Sequence, residues 1–186
     1  MALANYTPAC GKNIPGNSQT IFIAPAGTIT ALAETSGEIS TLTAASTTFK
    51  KIKADIDTVA FSHEGTFGVN GAYTQTLVAR FRTPSTELNT LADALRDQAA
   101  CGFEIIHVDA NGRVWLTGVS ITSKEGSTRP WNTFASSLAS GAALTDTDTQ
   151  ADTFTFTRVT AYRATELDST LAAAVLGGTA AYIDWS

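Results

Sequence analysis

The sequence predicts a mainly β protein with one or two helices, built as a β-sandwich or barrel that carries a long β-hairpin and a flanking α-helix. Three observations predict it. Thr, Ala, Ser and Gly dominate the composition, and Thr favours strands while Gly and Ser favour the turns between them. A hairpin pattern extends over residues 58–82. One strongly periodic helix pattern follows it.

The length of the chain fixes the expected domain organisation. A chain of 186 residues can bury roughly 70% of its unfolded surface, which is enough for one core. We expect an N-terminal arm at residues 1–18, because proline and glycine interrupt regular structure there. A single β-rich domain is expected at residues 19–176, followed by a C-terminal tail at 177–186.

The first part of the domain predicts short elements. Residues 20–24 predict a strand that ends at Pro25, whereas residues 28–46 are weakly patterned and predict short strands or loops. Residues 48–54 predict another strand, on which Lys51 and Lys53 share one face. Lysine on one face of a strand usually protects a sheet edge from unwanted pairing.

The hairpin at residues 58–82 is long enough for its register to be argued. Asn70 and Gly71 mark the turn. A two-residue turn would mix apolar and polar residues on each face, whereas a three-residue turn with Gly71 left-handed separates them. The second register is therefore predicted, and it pairs Phe67 with Tyr73, His63 with Leu77, Phe61 with Ala79 and Val59 with Phe81.

This register divides the hairpin into an apolar face and a polar face. Each arm spans about ten residues, or roughly 33 Å, so the apolar face is longer than one small core needs. We expect a neighbouring subunit to cover it. The residues expected in this inter-subunit packing are Val59, Phe61, Phe67, Tyr73, Leu77 and Phe81. The polar face carries Thr58, Ser62, Glu64, Thr66, Thr74, Thr76, Arg80 and Arg82.

A helix and a second hairpin follow. Thr83 as N-cap and Pro84 at the first helical position predict where the helix starts, and Gly102 predicts where it ends. Its apolar face comprises Leu88, Leu91, Ala92, Leu95 and Ala99. Residues 103–108 and 113–120 then predict strands around a turn at 109–112. We assign Phe103, Ile105 and Leu116 to one face and Ile106, Val108 and Trp115 to the other, which predicts central strands covered on both sides.

The C-terminal third predicts one more strand and one more helix. Residues 122–152 are rich in loop-forming residues. Residues 150–163 alternate through Phe154 and Phe156 and predict a strand. Residues 167–176 predict a short helix that Gly177 and Gly178 terminate.

Charge and motifs exclude several classes of function. The net charge is −5, and the scattered Lys and Arg residues do not form the cluster that a grip on nucleic acid requires. No apolar run is long enough to span a membrane, and residues 1–12 do not resemble a signal peptide. Phosphate-binding glycine loops and nucleophile elbows are absent. We therefore predict a protein that is not an enzyme and uses no cofactor.

The residues capable of metal or thiol chemistry are few. Cys10 and Cys101 have no metal-ligand spacing and are expected to be reduced, partly buried thiols. His63 and His107 lie in predicted strands and are expected to be core or interface residues. The alternating residues Asp146, Asp148, Gln150 and Asp152 resemble the start of a calcium loop but lack its central glycine and terminal glutamate. A solvated acidic turn is the better interpretation, so no metal site is expected.

One family has the same order of elements. The residues that carry the resemblance are 71–81, the helix from Leu88 to Leu95, and 103–118 with their Asn111-Gly112 turn. This order of long hairpin, helix, short apolar hairpin and late Phe-x-Phe strand resembles the tail tube (major tail) proteins of tailed bacteriophages. The resemblance covers residues 58–120 and implies hexameric rings, stacked into a tube, in which hairpins from six subunits close an inner β-barrel. It implies no catalytic residues.

The resemblance also implies partners and a location. The chain would contact copies of itself and other phage tail proteins, and double-stranded DNA would pass through the lumen without specific binding. The polar hairpin face would line that lumen, where a near-neutral surface keeps DNA mobile. The protein would be assembled in the host cytoplasm and reside in the virion tail, with no membrane insertion. Two alternatives remain: another tail or head-tail component, such as a tail terminator, completion or baseplate protein, and a non-viral β-sandwich binding module.

Overall fold

The computed structural model describes residues 20–54, 59–66, 72–81, 86–117, 133–139, 151–160 and 164–185. These ranges form a mainly β fold with two helices, as predicted. The strands are β1 Thr20–Pro25, β2 Ile29–Thr35, β3 Glu38–Ala44, β4 Phe49–Lys53, β5 Ala60–Thr66, β6 Ala72–Phe81, β7 Phe103–Val108, β8 Val114–Thr117, β9 Thr133–Ala139, β10 Ala151–Thr160, β11 Thr165–Leu167 and β12 Ile183–Asp184. The helices are α1 Thr86–Gln98 and α2 Ser169–Leu176.

The strands form two sheets. The larger sheet has eight strands in the order β12-β4-β1-β7-β8-β11-β3-β2 and curls into a half-barrel. Its pairs are antiparallel except for β11 with β3 and β12 with β4. The smaller sheet has four antiparallel strands in the order β5-β6-β10-β9.

The main core lies between one face of the larger sheet, the inner face of the smaller sheet and α1. Phe154 and Phe156 of β10 are fully buried and meet Phe103 and Ile105 of β7 in this cluster. The rings of Phe103 and Phe156 pack edge to face with centroids 5.7 Å apart. Each fully buried apolar side chain stabilises the fold by about 1.5–3 kcal/mol relative to exposure. The helix contributes the buried Leu88 and Leu95, with Leu91, Ala92 and Ala99 packed alongside, so its predicted apolar face is confirmed.

A second core covers the opposite face of the larger sheet. Phe22, Ile106 and Leu116 point to this side and pack with residues from α2 and from the segment after it. Asp168 caps α2 by accepting a hydrogen bond from the amide of Leu171 at 2.8 Å. Because β1 and β7 carry buried residues on both faces, the prediction of central strands covered on both sides is confirmed for β7.

The face assignments within the second hairpin are corrected by one residue. Val108 pairs with Val114, and Ile106 pairs with Leu116, so Leu116 shares a face with Ile106 rather than with Phe103 and Ile105. The connection is one residue longer than predicted. The Asp109 carboxylate accepts hydrogen bonds from the amides of Asn111 and Arg113 at 2.8 and 2.9 Å and so stabilises the longer loop. A one-residue slip moves every side chain to the other face.

The long hairpin also has a different register, but its faces survive. Phe61 pairs with Leu77 and His63 with Gln75, which is two residues away from the predicted pairing. A two-residue shift returns every side chain to the same face. Asn70 and Gly71, which we placed at the turn, lie outside the described residues together with Phe67, which we paired with Tyr73. Thr83 and Pro84 at the predicted helix start lie outside them as well.

Two segments are more regular than predicted. Residues 28–46 form the β2–β3 hairpin, whose turn places both Ser36 and Gly37 at positive φ, 57° and 88°. A non-glycine residue is uncommon in that region, so the sequence signal was weak. The expected C-terminal tail is part of the domain: Tyr182 and Ile183 are buried, and Ile183 pairs with Phe49 of β4.

Cys101 and the β4 lysines also differ from expectation. Cys101 is exposed rather than partly buried, and Cys10 lies outside the described residues.

β4 is not the outermost strand, because β12 pairs with Phe49 and Lys50. The described strands leave the remainder of β4, from Lys51 to Lys53, without a neighbour on that side.

A histidine and a buried carboxylate interrupt the apolar β7 strand. His107 is buried against Phe61 with ring centroids 4.6 Å apart, and its Nδ1 has no hydrogen-bond partner among the described residues. Burial lowers the pKa of His107 to about 4.

The Glu104 carboxylate accepts hydrogen bonds from the amides of Gly27 and Ile29 at 2.9 and 3.1 Å and holds the turn between β1 and β2. Burial raises the pKa of Glu104 more than these hydrogen bonds lower it.

The depressed pKa of His107 predicts a specific loss of stability in acid. The folded state keeps the ring neutral to about pH 4, whereas the unfolded chain takes up a proton near pH 6.5. Protonation of the unfolded state should therefore cost roughly 2–3 kcal/mol of folding free energy between pH 7 and pH 4.5. Urea denaturation of wild type and His107→Phe at both pH values measures this term, which the variant should lack. His63→Gln, at an exposed position, is the control. An unchanged pH dependence in His107→Phe would contradict the assignment.

The close contact between Gly65 and Tyr73 predicts a coupled pair. A Cβ atom on Gly65 would lie 2.7 Å from Cε1 of Tyr73, which is closer than two carbon atoms can approach. Gly65→Ala should displace the ring and destabilise the protein by about 1–2 kcal/mol. A double-mutant cycle with Tyr73→Ala measures the coupling, because the penalty should largely disappear once the ring is gone. Equal penalties in both backgrounds would refute the observed register.

Candidate assembly surface

The outer face of the smaller sheet is a polar surface built by strand alternation. Successive side chains in a strand point to opposite faces, so burial of Phe154 and Phe156 turns Thr153, Thr155 and Thr157 outward. β5 and β6 contribute their own alternate residues to the same face, as their register with β10 requires. Among the residues whose side chains are described, the face comprises Ala60, Ser62, Glu64, Thr74, Thr76, Val78, Arg80, Thr153, Thr155, Thr157 and Val159.

The described part of this outer face is almost free of charge. Its described side chains include one carboxylate, Glu64, and one guanidinium, Arg80, which lie on different strands and far apart along them. Threonine and serine hydroxyls supply most of the remaining polarity. Val159 is 70% exposed, which is unusual for a large apolar side chain. A broad, hydroxyl-rich and electrically neutral surface neither attracts nor repels a polyanion strongly.

The predicted polar residues fall on this face wherever they are described. Ser62, Glu64, Thr74 and Arg80 are exposed on it, and Thr76 is partly exposed. Thr58 and Arg82 lie outside the described residues, and the side chain of Thr66, at the end of β5, is likewise not described. Sequence reasoning missed Thr153, Thr155 and Thr157. Their alternation with Phe154 and Phe156 was visible, but no pairing placed β10 beside β6.

The apolar face of the hairpin contributes mainly to the core of its own chain. Val59, Leu77 and Phe81 are buried in the main core, so the inter-subunit packing expected for them is corrected. Phe61 and Tyr73 are partly buried, and Phe67 lies outside the described residues. The length of the hairpin did not predict this, because the larger sheet and α1 of the same chain cover that part of the apolar face.

A chain of aromatic contacts supports the hairpin where it leaves the core. The Phe61 ring contacts two histidine rings, with centroids 4.6 Å from His107 and 5.8 Å from His63. His63 in turn meets Tyr73 edge to face at 6.2 Å. His107 belongs to the larger sheet, so these contacts connect the two sheets. The expectation of a core histidine is confirmed for His107, whereas His63 is exposed.

The two outermost strands of the smaller sheet run in opposite directions. β5 and β9 each have one neighbour among the described strands. Since each successive pair from β5 through β6 and β10 to β9 is antiparallel, β5 and β9 are antiparallel to each other. An open edge presents backbone amide and carbonyl groups that can pair with another chain.

The described residues show no cluster suited to metal binding. No group of three or more His, Cys, Asp or Glu side chains among them could hold a metal ion. Of the acidic pattern at 146–152, only Asp152 is described, and it is buried on β10 rather than in a solvated turn. Within the same ranges, no helix is both long and apolar enough to cross a membrane.

The chain was compared with protein-family models, curated proteins and solved structures. None of the three comparisons found a match.

Proposed function

We propose that this chain is a structural subunit that assembles with copies of itself into rings, and that the rings stack into the tail tube of a tailed bacteriophage. The subunits would join through the smaller sheet, and its outer face would line the lumen through which the genome leaves the virion. In this role the chain catalyses no reaction and forms part of the wall of the tube.

The outer face of the smaller sheet is the observation that carries the proposal. A β-sheet that covers a core on one side usually carries mixed charges on the other side, where it meets solvent. Among the described side chains, this face instead carries hydroxyls and one charge of each sign, Glu64 and Arg80. A lumen wall needs that chemistry, because clustered cations would hold DNA through counterion release. The Thr153, Thr155 and Thr157 row extends the neutral surface across a third strand.

The strand directions support closure of the sheet into a barrel. Rotation about an axis along the strands would bring β9 of one copy beside β5 of the next, and the two would pair antiparallel. Barrels of sixteen or more strands enclose a channel, so at four strands per copy at least four copies are required. Six copies would contribute six times four strands, and their barrel would measure roughly 45–50 Å across between opposite backbones.

The acidic net charge is compatible with this role, and the exposed side chains do not favour a carbohydrate-binding module. A net charge of −5 works against retention of DNA. A carbohydrate-binding module would be expected to present aromatic rings to solvent, yet the large apolar side chains found exposed in the described ranges are Val159 and Leu176. Trp185 is partly buried against Phe22.

Assembly is the direct test of the proposal. Purified protein at high concentration should form rings or tubes in negative-stain electron microscopy, and sedimentation velocity should show a discrete oligomer. A tail terminator or completion protein would form rings that do not stack, which separates that alternative. A strictly monomeric species at high concentration would contradict the proposal.

The orientation of the outer face can be tested by labelling. Val159→Cys, placed in a Cys10→Ser/Cys101→Ser background, should react with both a small maleimide and a large polyethylene-glycol maleimide in the unassembled protein. Assembled tubes should admit the small reagent and exclude the large one, because the thiol would face the lumen. Ala33→Cys on the exposed β2 strand is the matched control and should react with both. Equal labelling of Val159→Cys by the large reagent before and after assembly would refute the lumen assignment.

A further inference from the structure

A cleft runs between β4 and the first turns of α1. Its volume is about 370 Å³, and it is open to solvent along one side. Apolar side chains form part of its surface, among them Ile52, Phe81 and Leu88. The charged residues along it are the lysines at positions 50, 51 and 53 and one carboxylate, Glu87 of α1. Clefts of this size commonly accept a short peptide segment or a small ligand.

One side of the cleft is an open strand edge. β1 pairs with β4 from Lys50 to Lys53, whereas β12 pairs with β4 only at Phe49 and Lys50. Within the described part of the chain, no strand lies beside residues 51–53 on that side. A strand edge next to a helix-lined apolar cleft is a geometry that accepts an added extended strand: backbone hydrogen bonds supply affinity, and alternating side chains supply specificity.

The charges at this edge have a defined spacing. Lys51 and Lys53 are two residues apart and point to the same face of β4. Lys50 points to the other face and forms an ion pair with Asp184. The Lys51 ammonium lies 5.6 Å from the centre of the Trp185 ring, and Lys53 has no ion-pair partner among the described residues. An added strand with carboxylates at two-residue spacing would place one opposite each of these two lysines.

The chain contains a segment with that spacing. Residues 143–149 read Ala-Leu-Thr-Asp-Thr-Asp-Thr, with Asp146 and Asp148 two residues apart. If the segment is extended, its carboxylates lie on one side, and Ala143, Thr145 and Thr147 lie on the other. Threonine favours strands, and these small side chains suit a narrow cleft beneath a helix. In a chain of net charge −5, a cationic edge also offsets the repulsion between copies.

We propose that the cleft between β4 and α1 binds residues 143–149 of a second copy of this chain as an added strand, with Asp146 and Asp148 opposite Lys51 and Lys53. The contact uses neither edge of the smaller sheet. It is therefore independent of the ring closure proposed above, and either can hold without the other.

A labelled peptide tests the contact directly. Fluorescence anisotropy would follow a fluorescein-labelled peptide of residues 142–150 as full-length protein is added. The native peptide should bind the wild type, and Lys51→Glu/Lys53→Glu should weaken binding about tenfold or more, because two favourable charge pairs become repulsive. A peptide carrying Asp146→Lys and Asp148→Lys should show the reverse preference. Binding that does not depend on the two lysines would overturn the proposal, as would no binding to any form of the full-length chain.

Two further variants complete the design. Arg96→Glu/Arg113→Glu makes the same change in net charge at exposed positions away from the cleft, and it should leave binding unchanged. The full-length variant Asp146→Lys/Asp148→Lys tests whether residues 143–149 of the same chain occupy the cleft. If the native peptide binds this variant but not the wild type, the segment fills its own cleft and the second copy is ruled out. Thermal melting confirms that each variant is folded, and electron microscopy of Lys51→Glu/Lys53→Glu reports separately on ring formation.

Discussion

The packing of Phe154 and Phe156 against β7 is the interaction on which the other features of this protein depend. Both rings are fully buried, and truncating either to alanine removes contacts worth about 3–5 kcal/mol. Their position fixes more than stability. Because side chains alternate along a strand, burial of the two rings fixes which face of β10 points to solvent. The pairing of β10 with β6 at nine positions fixes the faces of β6 in turn, and the pairing of β6 with β5 fixes those of β5. The neutral outer face is therefore a geometric consequence of the core.

The interior of the smaller sheet changes character along its length. Near α1 it is apolar, with Leu77, Phe154 and Phe156. Farther along, Arg158 and Gln75 are both buried and hydrogen bonded to each other at 2.9 Å. A buried guanidinium is costly unless its donors are satisfied, and loss of its partner is strongly destabilising. This pair therefore favours one alignment of β6 with β10, in a part of the sheet where apolar packing alone would tolerate slippage.

Local pattern was enough to predict much of this fold. The apolar periodicity identified α1 and β10, and Gly177 and Gly178 marked the end of α2. The two faces of the long hairpin were assigned correctly despite a register error. The register error did not change the faces, because a shift by two residues, an even number, leaves every side chain on its original face. The odd error in the second hairpin exchanged the faces of Trp115 and Leu116, and its cause was a loop conformation stabilised by the Asp109 side chain, which periodicity does not reveal.

The features that sequence reasoning missed depend on contacts between distant parts of the chain. Ile183 pairs with Phe49, which is far from it in sequence. Glu104 stands in an apolar strand because the β1–β2 turn offers it two backbone amides. The threonine row of β10 belongs to the candidate surface only because β10 pairs with β6. Each case requires knowledge of which strands are neighbours, and composition and periodicity do not supply that knowledge.

The number of strands in the smaller sheet has a mechanical consequence for any closed assembly of these subunits. With three strands per copy, the outermost strands would run in the same direction and every junction between copies would be parallel, which is slightly weaker per residue. Four alternating strands make each junction antiparallel, like the pairs within a copy. Under a force that stretches the ring around its circumference, the hydrogen bonds at the subunit boundaries would be no weaker than those within a subunit. The directions of the strands would favour no particular number of copies.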